Sequence, residues 1–288
     1  MLIISASLAL GLAGCGGGSD EPGADGPTIV VTTGILADVV ENVGAADARV
    51  VQLIPNGASP HDFQLSAAAR LDLKQTDLVV DNGAALEATV PLDDVQGSRW
   101  TLTDHVDDPL SFAEGGSDPH VWMDPTRVAA ALPSLAEALA TADPAHALDY
   151  RQRADEYVEE LGRLDRQLRR TLSVVPGEDA ELITSHDSLG YLAERYGFEV
   201  VATAFPASGP EGEASASQLA KIGETISARD VPAVFAGEED DPEALRQVAD
   251  EAGVDVVDDL AIESLGENGG YEQMLRHDAQ RIAAALAP

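Results

Sequence analysis

Three of the six histidines stand at positions where an α/β protein could place metal ligands. His61 and His186 each follow an apolar segment with strand character, and His120 lies in a short proline-containing segment ahead of a helical one. Glu263 follows the last apolar segment of the chain. Because ligands bind beyond the carboxyl ends of strands in open α/β sheets, folding could bring all four side chains into one crevice. Three imidazoles and a carboxylate suit Zn²⁺, so we expect one zinc site formed by these residues.

Other polar and aromatic residues have competing interpretations. His105 stands in an acidic loop, where a transient metal contact is an alternative to an ordinary surface position. His146 and His277 fall on charged helix faces and are expected to be solvated. Trp122 fits either the edge of the metal site or the core. Asp124 directly precedes a proline, so we expect it to cap a helix rather than bind metal.

The four candidate positions depend on an alternation of strand and helix patterns that occurs twice. In the first half, strands are predicted at 28–33, 49–54 and 77–83, with helices between them. In the second half the same alternation continues to a helix at the C-terminus. Alternating strands and helices predict parallel sheets. The expected fold class is therefore α/β, with two lobes whose sheets are mainly parallel.

A long helical pattern connects the two halves. Asp143 and Pro144 form a helix-start signal, and apolar residues keep helical spacing as far as Leu172. One helix from this start would be about 45 Å long at about 1.5 Å per residue, which favours a rigid connection with the metal in the cleft between the lobes. The expected boundaries are an N-terminal lobe at 28–142, a linker helix at 143–175 and a C-terminal lobe at 176–288.

The first residues are typical of a secretion signal followed by an anchor. Residues 1–14 are apolar and uncharged, and they are too short for a membrane span. The segment LAGC ends at Cys15 and resembles a lipobox, in which the cysteine is lipidated and becomes the mature N-terminus. Residues 15–27 then predict a flexible tether to the outer face of the cell membrane. A buried hydrophobic N-terminus is the alternative, and the missing basic region is compatible with a start further upstream.

The formal net charge of −34 limits the classes of partner. Such a chain repels nucleic acid and anionic lipid headgroups, so neither is an expected partner. Only two of the seventeen basic residues are lysines, and acidic residues are spread along the chain. We therefore expect adaptation to molar salt, which screens self-repulsion, with an ordinary acidic extracytoplasmic protein as the alternative. With one cysteine, the chain forms no internal disulfide. Separately, we expect the protein to be a monomer.

Seven segments follow one another in an order that is more specific than any one of them. In chain order they are LIPNGASPHDFQLS, DNGAALE, SDPHVWMDP, DPAHALDYRQRADEYVEEL, SHDSLGYLAERYG, GEASASQL and ESLGENGGYEQMLR. This series resembles the zinc/manganese ABC-transporter solute-binding lipoproteins of the cluster A-I type, over nearly the whole mature chain. The resemblance implies two α/β lobes joined by a rigid helix, with metal bound between them. It also implies metal capture outside the cell and delivery to a membrane permease with its ATPase.

The resemblance implies a role for each candidate ligand. His61 corresponds to the histidine of the family's P-x-G-x-x-P-H loop, His120 to that of its DPH segment, and His186 to the one ahead of the Y-L-A helix. The family's fourth ligand is usually Asp ahead of a Ser-Leu pair, and here Glu263 stands in that place. Glu238 and a water molecule are the alternatives for this fourth position.

Several functions remain open within this pattern. Mn²⁺ prefers harder oxygen ligands, so a histidine at position 186 favours Zn²⁺ over Mn²⁺ or Fe²⁺. A mono-zinc hydrolase would need an open coordination position and a nearby base, whereas four protein ligands close the shell. Because no HExxH motif is present, we expect no enzymatic activity. A metal-dependent surface adhesion protein is a further alternative.

Overall fold

The structure is a computed structural model that describes residues 26–92, 95–113, 115–177, 179–205, 215–238 and 243–287. The expected signal peptide at 1–14, Cys15 and most of the tether at 15–27 lie outside the described residues. Among the residues described, no helix combines the length and the apolar run that a membrane span requires.

The first half forms one parallel sheet with the strand order β2-β1-β3-β4. Its elements are β1 (Thr28–Val31), α1 (Gly34–Gly44), β2 (Arg49–Gln52), α2 (Ala67–Lys74), β3 (Leu78–Asp81) and β4 (Ser98–Thr101). The fourth strand was missing from the expectation. It has the sequence SRWT, of which only Trp100 is buried, so it carries no apolar run by which a strand is recognised.

Two consecutive helices follow the first sheet. They are α3 (Pro125–Ala142) and α4 (Ala147–Leu172). The Asp124 carboxylate accepts a hydrogen bond from the N–H of Thr126 at 2.8 Å, which confirms the predicted cap of α3. A 3₁₀ turn at Pro144–His146 precedes α4, so the long helix starts three residues later than predicted. Its 26 residues make it about 39 Å long.

The second half repeats the topology of the first, with the parallel strand order β6-β5-β7-β8. Its elements are β5 (Glu181–Thr184), α5 (Gly190–Tyr196), β6 (Glu199–Thr203), α6 (Ala216–Arg229), β7 (Ala233–Gly237), α7 (Glu243–Ala252), β8 (Asp255–Leu260) and α8 (Tyr271–Leu286). The predicted α/β fold class with two parallel sheets is confirmed. Asp241 and Pro242, a pair that predicts the start of a helix as Asp124 and Pro125 do, fall outside the described residues.

One continuous apolar core joins the two sheets through α4. Side chains alternate along the strands, so Ile29 and Val31 face this central core while Val30 packs in an outer cluster. The same alternation places Leu182 in the central core and Ile183 in the outer cluster of the second half. The apolar stripe of α4 lies in the central core, between both halves. This shared core limits how far the halves move relative to each other.

Candidate metal centre

Loops at the carboxyl ends of strands bring the four predicted residues together. His61 lies in the loop after β2, His186 follows β5, and Glu263 follows β8. His120 directly precedes a 3₁₀ turn at Val121–Met123 that leads into α3. One nitrogen or oxygen atom from each of the four side chains lies within 4.8 Å of the others. The two halves therefore contribute two side chains each to one cluster.

A single carboxylate oxygen lies at the centre of this cluster. Glu263 Oε1 is 3.0 Å from His61 Nε2, 3.7 Å from His186 Nε2 and 3.8 Å from His120 Nε2. All three Nε2 atoms are buried, and none has a well-aligned hydrogen-bond partner among the described residues. Buried polar atoms without such partners are unusual, and an ion that binds between them would explain these three. Three imidazole nitrogens and one carboxylate oxygen in this arrangement match the ligand types that bind Zn²⁺.

Asp118 fixes the orientation of His120. Its Oδ1 accepts hydrogen bonds from His120 Nδ1 at 2.8 Å and from the His120 backbone N–H at 2.9 Å. In the neutral form that a metal would bind, Nδ1 therefore carries the proton and the lone pair lies on Nε2, which faces the cluster. A carboxylate on the far nitrogen of a histidine is the usual support of a metal ligand. Both side chains are buried.

A second set of hydrogen bonds holds the segment that carries His120. Asn82 Nδ2 donates to the carbonyl of Pro119 at 2.9 Å. The buried Glu87 carboxylate accepts from the Asn82 backbone N–H at 2.9 Å and from Thr32 Oγ1 at 2.6 Å. These hydrogen bonds join the segment after β3 to the segment that carries His120.

The charges in the cluster are unevenly distributed in the absence of metal. Burial alone would lower the pKa of His120, but the Asp118 and Glu263 carboxylates outweigh burial and raise the pKa to about 9. Burial and the nearby charge of His120 lower the pKa of His186 to about 3. Burial would raise the pKa of Glu263, yet the contacts with His120 and His61 hold it well below its usual range. Without metal, His120 therefore carries a positive charge at neutral pH and Glu263 a negative charge.

The structure also places the other residues for which the sequence left alternatives. The Trp122 ring belongs to the central core and also lies beside the site, with its centroid 5.3 Å from that of His120. Glu238 is exposed and is not part of the cluster. His105 stacks on Trp100 at 5.2 Å between ring centroids and also lies outside the cluster.

The remaining two histidines differ from each other. His146 is 42% exposed and its Nδ1 lies 2.5 Å from the carboxylate of Asp143. The prediction that His277 is solvated was wrong, because the residue is half-buried and its Nε2 donates to the carbonyl of Asp259 at 2.9 Å. A helical charge pattern did not reveal this contact, since the acceptor comes from β8.

Three residues that support the candidate site had no role assigned from the sequence: Asp118, Asn82 and Glu87. The signal for Asp118 was present, because an Asp two positions before a candidate ligand is close enough to contact its ring. The signals for the other two were weaker, since they act through backbone atoms that the fold brings close.

Known proteins resemble this chain over most of its length. Residues 29–285 match the family described as zinc-uptake complex component A, periplasmic. The chain is 33% identical over 292 residues to the zinc-binding protein TroA of Treponema pallidum, across 94% of this chain and 92% of TroA. It is 27% identical to the manganese-binding lipoprotein MntA of Halalkalibacterium halodurans, across 97% of this chain and 96% of MntA. It is 30% identical to the iron-binding protein YfeA of Yersinia pestis, across 84% of this chain and 79% of YfeA.

The fold agrees with a solved structure of the first of these relatives. The structure of the periplasmic zinc-binding protein TroA matches with a TM-score of 0.84 at 27% identity, over 91% of this chain and 100% of that one. The chain therefore belongs to the zinc-uptake complex component A family, whose members are solute-binding proteins of metal ABC transporters.

Proposed function

We propose that this chain captures a divalent transition metal, Zn²⁺, outside the cytoplasm and delivers it to an ABC-type permease with its ATPase. The observation that carries the proposal is the convergence of three buried imidazole Nε2 atoms on one carboxylate oxygen. In this proposal His61, His120, His186 and Glu263 are the ligands of the transported ion. The metal is the cargo, and the fold holds it between its two halves.

The ligand types favour zinc over manganese. Imidazole suits Zn²⁺, whereas Mn²⁺ prefers carboxylate, carbonyl and water oxygen. Here three of the four donors are nitrogens. The name of TroA, the zinc-binding relative, points the same way, while MntA and YfeA are named for manganese and iron. Mn²⁺ is thus the alternative cargo.

A transport role fits this donor set better than hydrolysis does. Four protein ligands complete a tetrahedral zinc shell, and a mono-zinc hydrolase needs a position for the water that it activates. Because Glu263 lies against all three imidazoles, it occupies the place where such a water would bind.

We further propose that the protein is a monomeric lipoprotein on the outer face of the cell membrane. The lipobox cysteine, Cys15, and the tether would anchor it there, within reach of the permease. Several relatives, MntA among them, are named as lipoproteins, which supports this placement.

A competition titration tests the proposed cargo. Zinc and manganese are offered at equal concentration to the purified metal-free chain, and bound metal is measured by elemental analysis. We expect one Zn²⁺ per chain, little Mn²⁺, and loss of zinc binding in His186→Ala. His105→Ala is the matched control, because His105 lies outside the cluster, and it should bind zinc as the natural chain does. Displacement of zinc by manganese would contradict the assignment.

A further inference from the structure

Trp122 lies between a candidate ligand of the first half and one of the second. It belongs to the 3₁₀ turn that His120 begins, and its ring meets the His120 ring edge-on at 71°. The side chain is almost completely buried. The indole therefore limits the orientations that the His120 imidazole can adopt.

The indole N–H of Trp122 reaches across to the second half. Nε1 donates to the carbonyl of Ile262 at 2.7 Å, and this bond is buried. Ile262 directly precedes Glu263. The hydrogen bond thus fixes the backbone at the point from which the Glu263 side chain leaves.

The other end of the loop that carries Glu263 is also bonded to Trp122. At the start of α8, Tyr271 donates its hydroxyl to the carbonyl of Trp122 at 2.5 Å. The backbone N–H of Tyr271 also donates to Asp38 Oδ2 in α1, at 3.1 Å. The loop from Ile262 to Tyr271 is therefore attached to the first half at both ends.

The loop between these attachments has little regular structure of its own. Gly266 and Gly269 adopt positive φ angles of 56° and 82°, which are accessible mainly to glycine. A loop of this kind depends on external contacts to hold a side chain in one place. The indole bond is the contact closest in sequence to Glu263 among the described hydrogen bonds that cross between the halves.

We infer that Trp122 is a positioning residue that holds the Glu263 carboxylate against the His120 imidazole, so that the metal meets a preassembled ligand set. The inference rests on the proposed function, since it requires both side chains to be ligands. Trp122 is not one of the four proposed ligands. It acts through the carbonyl of Ile262 on one side and the ring of His120 on the other.

The two tryptophans of the chain provide a matched pair for the test. Trp100 is also buried and donates its Nε1–H once, to Ser134 Oγ at 2.9 Å, away from the metal cluster. Each is changed to Phe in the full chain, which removes the N–H and keeps an aromatic ring. With Zn²⁺ and a competing chelator, Trp122→Phe should bind zinc about 10–100-fold more weakly, and Trp100→Phe should bind as the natural chain does. Equal affinities of the two variants would overturn the inference.

A double-mutant cycle separates positioning of Glu263 from general support of the fold. In a Glu263→Gln background the carboxylate ligand is already lost, so Trp122→Phe should cause little further loss of zinc affinity. The same fold-loss with and without Glu263 would show that Trp122 acts elsewhere and would overturn the inference. If the natural chain and Trp100→Phe both fail to bind metal, the proposed function fails and this inference fails with it.

A measurement on Trp100→Phe keeps the test decisive if Trp122→Phe does not fold. That variant has one indole N–H, which gives a single resonance in a ¹⁵N-labelled sample. We expect slow exchange of this proton with solvent, as for a buried hydrogen bond, and a shift of the resonance when Zn²⁺ is added. An indole proton that exchanges rapidly, or a resonance that zinc does not move, would overturn the role of Trp122.

Discussion

The two halves of the molecule share one strand order but hold their candidate ligands in different ways. In the first half, burial would lower the pKa of His120, but the buried Asp118 carboxylate that orients the ring, together with Glu263 of the second half, raises it to about 9. In the second half, burial and the charge of His120 lower the pKa of His186 to about 3. The two histidines also occupy different places, since His186 follows β5 and His120 precedes the 3₁₀ turn before α3, and the surrounding residues decide their protonation.

This difference suggests how the site remains stable before metal arrives. The first half contributes a protonated imidazole and the second half contributes the Glu263 carboxylate. Their contact is an ion pair between the halves, at 3.8 Å from His120 Nε2 to Glu263 Oε1. A bound metal would replace the proton and neutralise the same carboxylate. The four ligands are thus in place before metal binds, and His120 carries a proton that the metal can displace.

Loss of the carboxylate should have the largest effect on metal binding. Glu263→Gln keeps the size of the side chain but removes the only negative charge among the four ligands. We expect zinc affinity to fall by more than the ~10–100-fold typical of changes outside the ligand shell. Chelator competition measures the loss, and Glu267→Gln, an exposed position in the same loop, is the control. Equal zinc affinity of the two variants would remove Glu263 from the site.

Loss of the Asp118 charge should have a smaller effect, confined to the first half. Asp118→Asn still offers an oxygen to His120 Nδ1 but no longer a charge, so the imidazole is a weaker ligand. We expect zinc affinity to fall ~10–100-fold, with Asp104→Asn, at an exposed position, as the control. Thermal melting of the metal-free variants checks that both remain folded. An unchanged affinity of Asp118→Asn would mean that the first half is not held by this pair.

The pH dependence of binding should reveal the proton on His120. The His120 pKa of about 9 lies above neutral pH, so zinc must displace a proton, whereas His186, with a pKa of about 3, is already neutral. Binding should release about one proton per zinc from His120, and affinity should rise about tenfold per pH unit between pH 6 and 8. Calorimetry in two buffers of different ionisation enthalpy measures the release. A buffer-independent heat would contradict the difference between the halves.

Much of the fold and the candidate cluster could be predicted because both follow from simple patterns. Apolar runs separated by helical segments predicted seven of the eight described strands. Ligands bind beyond the carboxyl ends of strands, and this rule predicted that His61, His186 and Glu263 lie close together, as they do. The Asp-Pro pair at 124–125 marked the start of α3 correctly. The short strand β4 carried no such pattern, because only one of its four residues is buried.

Contacts that depend on three-dimensional placement were beyond the sequence patterns. Glu238 and Glu263 both follow strands, and only the fold separates the exposed residue from the buried one. The bond between Trp122 and Ile262 joins residues 140 positions apart, so no local spacing indicates it. The salt adaptation inferred from the charge of −34 stays a prediction, as do the lobe boundaries at 28–142, 143–175 and 176–288.

Native mass spectrometry of protein purified without chelator, combined with elemental analysis, tests the central claim most directly. The natural chain should carry one Zn²⁺, and a variant that combines His61→Ala, His186→Ala and Glu263→Gln should carry none while remaining folded. A natural chain without bound metal would contradict the claim. A combined variant that still retained one zinc would equally contradict it, because the ion would then bind outside the His61, His120, His186 and Glu263 cluster.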